Sequence, residues 1–548
     1  MNDNKTTVAV TLNQSNMLKA LKQSFTHSHT FIGELMQNAR RANATSVKFL
    51  FHEKNATLTV IDDGCGIDSL DKLLAIGESG WNESVVANEH PFGIGFLSAL
   101  YACKRISLVS KGGKFSMDTD KILSMEEFTI TPMNEAYLGT SITLVGVSIE
   151  SGKLVSTLEK LSKGFPIPIE LNGHVFERTH AVDSVGSDFV DTHVGKVWIK
   201  SLHNLNLPAH CLDSLEVYLQ GLPIYKSGYA SISAPNVVHL DSSKFKARLP
   251  DRDKLIDEPD VIYEVKQVLR EEIATAFIHL KKTHKDNPLF LVGYYELLKE
   301  WSLIHLLNDI KAIPTGCLYT FTDYPNCYEE NFGYFLSPIS TALTQEEVVK
   351  RGVVNFYEDI DDEGALIHTF AMKRDYWVYK DNLDKGHWIH HDLIILEEPV
   401  VELQNERFSA FFDGDYIYKT VKFCDAYIIT INGESETIAS HSVYLGDGRE
   451  IIVPKNDKTA QVLTQASYFS DGNDNYQEDG YLNESTRFVN FVIANQCDNP
   501  VDAIRQLLPD SFHCKLVNNK AFAIFVDQDG KLGITAELPP EPVLVKAA

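Results

Sequence analysis

The sequence has no long apolar run. None of its stretches approaches the ~18–20 residues that a membrane-crossing helix needs, so no membrane partner is expected. It also lacks paired cysteines. Its eight cysteines, at 65, 103, 211, 317, 327, 424, 497 and 514, form no C-x-x-C, and neither a zinc site nor a disulfide framework follows from them. Positive charge is scarce: 50 Lys and Arg stand against 75 Asp and Glu, a formal net charge of −25. Such a field repels nucleic acid and anionic lipid in general, which disfavours DNA as a partner unless a local basic patch overrides it. The opening segment, "MNDNKTTVAVTLNQSN", has no basic stretch leading into an apolar one, so no secretion signal is expected. A reduced, cytoplasmic setting suits the unpaired thiols.

What the chain does have is apolar residues to bury, 44% of 548, enough for two to four domains. The first ~145 residues read as α+β. "NQSNMLKALKQSF" (13–25) and 29–42 look helical, whereas 45–53, 56–62, 105–111, 126–132 and 140–146 read as strands. A mostly antiparallel sheet with helices on one face is expected. A second α/β stretch follows, with a helix near 153–163, strands near 166–172, 196–200 and 214–220, and a long helix over 258–282, where Pro259 suits a first turn. "THKDNP" (283–288) reads as a boundary and 289–310 as one helix. The remainder is strand-rich, with hairpin signals at "INGES" (431–435) and "GDGRE" (446–450) and an acidic loop at 470–480.

Chemistry-bearing residues concentrate near the start. "FIGELMQNARRANAT" (31–45) sets Glu34 and Asn38 four apart, on one helical face among Leu35, Ala39 and Ala42. A satisfied core pair and a catalytic base beside a metal ligand both fit that spacing. "DDGCGI" (62–67) puts an acid at a strand end before two glycines, where main chain can approach a ligand closely. "GESGWNESVVANEHPFGIGFLSAL" (77–100) is a glycine-dotted loop ending at Gly93 and Gly95 before a helix whose free N–H groups favour phosphate. "GTSITL" (139–144) sets Gly139 and Thr140 at the head of a strand. Each alone is weak evidence.

In this order the four resemble the GHKL ATPases: gyrase-type topoisomerase subunits, ninety-kilodalton heat-shock chaperones, MutL, MORC proteins and histidine kinases. The helix is similar to the family's E-L-x-x-N-A-x-D-A, the turn to D-x-G-x-G-I, and "FGIGFLSA" to F-G-x-G-F-x-S-A, over residues ~14–145. The resemblance implies an α+β protein: a Bergerat-type ATP-binding sandwich (1–148), a transducer-like α/β domain (149–285) and a strand-rich C-terminal region of unknown function (286–548). It implies ATP and Mg²⁺ as ligands, with Asn38 holding the metal and Glu34 as general base. Asp62 would accept from the adenine amino group, supported by Thr140, while Gly64, Gly66 and Ile67 pass under the base. Gly93, Ile94, Gly95 and Phe96 would cradle phosphate, and 77–95 would form a lid.

Two positions depart from the pattern. Arg41 stands where the family commonly has an aspartate, which points to slow turnover. Glu78 precedes Ser79-Gly80 where the chaperones carry a lysine. Too little chain precedes the Glu34 helix for a histidine kinase's phosphoacceptor helix. The second stretch carries "HLDSSKFKARLPDRDKLID" (239–257), which is either a solvated basic loop or, after a GHKL domain, the transducer loop that reaches the γ-phosphate. Arg252 is the expected charge there, with Lys246 in reserve. The implied activity is slow ATP hydrolysis driving a conformational clamp, a homodimer acting on a protein client. A DNA-handling clamp and a non-hydrolysing ATP sensor are the alternatives. "HWIHHD" (387–392) reads as a polar strand end rather than a metal site.

Overall fold

A computed structural model of the chain describes residues 17–18, 21–22, 30–73, 81, 95–133, 137–203, 212–227, 235–248, 252–324, 335–355, 362–445, 450–457, 475–509 and 512–536. The chain divides into two compact units, Met1–Ile310 and Lys311–Ala548.

Alternation of apolar and polar residues builds the first sheet. In β1 (Val47–His52), Val47, Phe49 and Phe51 are buried while Lys48, Leu50 and His52 face solvent. β2 (Thr57–Asp62) returns antiparallel after a 3₁₀ turn closed by left-handed Ala56. β3 (Arg105–Ser110), β4 (Gly113–Asp118), β5 (Thr140–Val145), β6 (Ile169–Leu171) and β7 (His174–Val175) complete a seven-stranded sheet of order β4-β3-β5-β2-β1-β6-β7. Every ladder is antiparallel except β1 with β6. Helices α1 (Thr30–Arg41), α2 (Gly95–Ala102) and α3 (Ser151–Ser162) give Phe31, Leu35, Phe96, Leu100, Leu154 and Leu158 to the same core as the inward strand residues. Burying each such side chain stabilises the fold by roughly 1.5–3 kcal/mol before entropy is subtracted.

The expected strand at 126–132 does not form. Only an isolated bridge, Lys114 to Thr131, occurs there, and the sheet edge is β4 instead. The tight turn through Lys111 and Gly112 folds the chain straight back from β3, and a polar edge strand needs little apolar patterning.

A second sheet follows in the same unit: β8 (Val190–Thr192), β9 (Gly195–Trp198), β10 (Leu215–Leu219), β11 (Leu222–Lys226) and β12 (Asn236–Leu240), in the order β11-β10-β12-β9-β8. Gln220 and Gly221, both at positive φ, make the two-residue turn between β10 and β11. α4 (Glu258–Thr283) starts with Pro259 in its first turn. The single helix expected over 289–310 is instead three short turns, Pro288–Val292, Tyr295–Glu300 and Ile304–Leu307. Gly293 interrupts the first, and Ser302, at φ 54, ends the second. Apolar periodicity alone could not register those stops.

The second unit is mixed. Asn432 and Gly433 close the hairpin between Ala426–Ile431 and Glu434–Ile438, as "INGES" implies, and Val443–Leu445 pairs with Glu450–Pro454. The acidic segment expected to be a loop at 470–480 enters a helix at Asn475, which runs to Gln496; 470–474 lie outside the described residues. His387 is fully buried and burial pushes its pKa down to about 4, while Ile389–Asp392 forms a single helical turn rather than a strand end. No group of three or more metal-ligating side chains occurs among the described residues.

Candidate functional site

α1 packs two ways at once. Phe31, Ile32, Leu35, Met36 and Ala39 enter the core, yet Glu34, Gln37 and Arg41 are also buried, on a side of the helix that another element must cover. That element comes from the second sheet's side of the unit. The Glu34 carboxylate, whose residue is only 6% exposed, receives the Arg252 guanidinium, with Nε 3.2 Å from Oε1. The 246–256 loop presents that arginine through main-chain bonds. Ile256 N–H donates to the Lys246 carbonyl, Lys254 accepts from Arg248 N–H, and Arg252 N–H donates to the Arg248 carbonyl. Arg252 itself sits at φ 53, and buried Leu255 anchors the loop. Of the two cations singled out in this loop, Arg252 meets Glu34, whereas Lys246 is an exposed residue.

The start of α2 meets the same carboxylate. A Cβ on Gly95 would lie 2.1 Å from Glu34 Oε2, so only glycine permits this approach. Gly93 and Ile94 lie outside the described residues, as does 77–94 apart from Trp81. The Phe96 side chain is spent on the core.

One turn along α1, Asn38 is half-buried. Arg41 Nη1 lies 3.4 Å from its Oδ1, so the residue that departs from the family pattern touches the proposed metal ligand directly.

The strand-end turn is tied to α1 as well. Gly64 packs where a Cβ would stand 2.6 Å from the Ala42 Cβ, and Cys65 N–H donates to the Ala42 carbonyl. The Asp62 carboxylate accepts from Gly64 N–H at 3.0 Å. Burial pushes its pKa above the ordinary aspartate value, against the pull of the Gly64 and Thr140 N–H groups. Asp63 does something else: its carboxylate accepts from Thr45 and Ser46 N–H. It also accepts from the Thr45 hydroxyl, and slight burial is outweighed there by that bond and the N–H bonds, which hold its carboxyl below the usual value.

Gly139, at φ 79, lets β5 begin against this turn, since a Cβ there would lie 2.0 Å from the Asp62 carbonyl oxygen. Asp62 and Thr140 are register partners. On the other side of Thr140, on β3, sits a residue that sequence reasoning missed. Fully buried Ser110 accepts from Ile67 N–H at 2.8 Å, donates to the Gly139 carbonyl at 2.9 Å, and lies 3.2 Å from Thr140 Oγ1. A polar residue at an inward position of the alternating "RISLVS" is the signal that could have found it.

Asp62, Gly64, Gly66, Ile67, Gly139 and Thr140 thus converge on one turn, which is joined to the Glu34–Asn38 helix through Ala42. Residues 26–143 match the family model described as "Histidine kinase-, DNA gyrase B-, and HSP90-like ATPase". This segment is a GHKL-type ATPase domain. No curated protein matches the chain. No helix among the described residues is long and apolar enough to cross a membrane.

The Asn38 amide oxygen is a hard donor of the kind that would suit magnesium. The guanidinium of Arg41 shares that oxygen, a neighbour that competes with a cation.

Proposed function

We propose that this protein binds ATP with magnesium and hydrolyses it slowly, at about 0.01–1 per second, below the usual enzyme median of ~10 per second. The observation that carries the reading is the ion pair between Glu34, on the helix of the GHKL domain, and Arg252, from beyond the second sheet. A base alone needs no such partner. An arginine brought from a neighbouring layer to a nucleotide site is placed to meet phosphate charge.

In this reading Asp62 takes the adenine amino group, with Thr140 behind it, and Gly64, Gly66 and Ile67 pass under the ring. Gly93, Ile94, Gly95 and Phe96 offer main-chain N–H groups to phosphate. Asn38 would hold magnesium, which would neutralise phosphate charge when bound. Before nucleotide arrives, Arg252 is held by Glu34. An arriving γ-phosphate draws the guanidinium off, and Glu34 is released to take a proton from the attacking water. Arg252 then contacts a group present only in the ATP state, so ATP favours the docked arrangement of the two layers by that difference. Two copies closing in this way form a clamp, and the strongly acidic chain suits a protein client better than DNA. Lys246 serves as the phosphate contact only if Arg252 does not.

Steady-state phosphate release tests the reading, with Glu34→Gln as the variant because it keeps the side chain's shape beside Arg252. Hydrolysis should fall by about 100-fold or more while ATP affinity holds. Equal release from both proteins would overturn the enzyme reading. It would leave the ATP-sensing scaffold that the Arg41–Asn38 contact favours.

A further inference from the structure

The turn between β10 and β11 touches both halves of the proposed site. The Gln220 carbonyl accepts from Gln37 Nε2 at 2.9 Å, and Gln37 lies one helical turn from Glu34 on α1. The Gln220 side-chain oxygen accepts from Arg252 Nη1 at 3.5 Å, the guanidinium whose Nε meets Glu34. The turn has little freedom to move. Gly221 packs so closely that a Cβ would stand 2.7 Å from Pro166, and Leu222 reaches to 3.4 Å of the Cβ position of Gly33 and joins the core of the first sheet. Gln37 is buried and also accepts from Arg40 Nε at 2.9 Å.

We infer that Gln220 is a positioning residue for Arg252: its main chain registers the hairpin on α1, and its carboxamide aims the guanidinium at the Glu34 site. The inference rests on the proposed role of Arg252. The physical logic is that an arginine side chain turns about several single bonds, so a second contact is needed to fix where its guanidinium points. One contact is to Glu34, which the proposed cycle breaks. The other, to Gln220, persists through it and keeps the guanidinium in reach of phosphate.

The test is a double-mutant cycle in the full chain, reading kcat, KM and ATP affinity. Gln220→Asn keeps a residue that tolerates positive φ but shortens the amide by one methylene. Its kcat should fall about tenfold, with KM and ATP affinity unchanged. Gln220→Glu, which restores the acceptor at full length, should recover kcat to within about twofold. In an Arg252→Ala background, Gln220→Asn should cost nothing further. Gln37→Glu, which takes the donor from the Gln220 carbonyl while still accepting from Arg40, should reproduce the kcat loss. If Arg252→Ala is slow but Gln220→Asn turns over normally, or if the two losses multiply, this inference falls and the role of Arg252 stands. If Arg252→Ala hydrolyses at the wild-type rate, both fall.

Discussion

Two of the buried glutamates, Glu34 in the first unit and Glu484 in the second, look alike by exposure and differ in their partners. Glu34 is 6% exposed and Glu484 is 4% exposed. Each presses on a glycine whose Cβ would collide with it, Gly95 at 2.1 Å and Gly414 at 2.0 Å. Glu484, on the helix Asn475–Gln496, accepts from three successive main-chain N–H groups, those of Asp415, Tyr416 and Ile417. Its carboxylate is thus held by the main chain of one turn. Glu34 is met by a side chain, Arg252, more than 200 positions away in sequence, from another layer. Burial of a carboxylate therefore marks no site. What separates the two is whether the partners are fixed backbone or a removable side chain.

Breaking the structural member should give the largest change in stability. Glu484→Ala strands three N–H groups, at roughly 1–3 kcal/mol each, so urea unfolding should show a loss of about 3–9 kcal/mol with phosphate release intact while the chain stays folded. A loss below about 1 kcal/mol would erase the contrast. The two glycines sharpen it. Gly95→Ala forces the Glu34 carboxylate aside and should cut hydrolysis at least about tenfold with little change in unfolding. Gly414→Ala should cost about 1–3 kcal/mol of stability and leave hydrolysis alone. Identical behaviour of the two would show that the carboxylates are equivalent after all.

The smallest effect concerns Asp62, a carboxylate neither saturated nor ion-paired among the described residues. Asp62→Asn should weaken ATP about tenfold or more by calorimetry, the range for a hydrogen bond to a charged group. Because burial raises the Asp62 pKa, its protonated form is favoured in the folded state. Lowering pH through that raised value therefore stabilises the fold while removing the charged acceptor. Wild-type ATP affinity should decline on that acid limb, and the variant's should not. Matching pH profiles would remove Asp62 from the adenine contact.

Much of the ATPase sheet was legible in the sequence because it obeys period-two burial: β1, β2, β3 and β5 lie within a few residues of their expected spans. The Glu34–Asn38 spacing was readable for the same reason, as a helical period. What escaped depends on register between distant segments. Ser110 matters because β3 sets it against Gly139 across the β3–β5 ladder, a relation no local window contains. Gln220 contributes a carbonyl, which any residue owns, so its link to Gln37 leaves no signature in side-chain chemistry. Arg41 was noticed as a departure, but its contact with Asn38 follows only from the helix's three-residue offset and from burial.

The parallel pairing of β1 with β6 bears on how this protein is made. Val47, Lys48 and Phe49 take Ile169, Glu170 and Leu171 as neighbours, and α3 supplies Leu154 and Leu158 to the same interior. During synthesis, β1 must wait for more than a hundred further residues before its flank on the β6 side is covered. A fragment ending at 143 would truncate β5, carry a bare hydrogen-bonding edge and lack the buried core residues from Leu144 to Phe176, a template for aggregation. The smallest soluble piece should extend at least to Phe176.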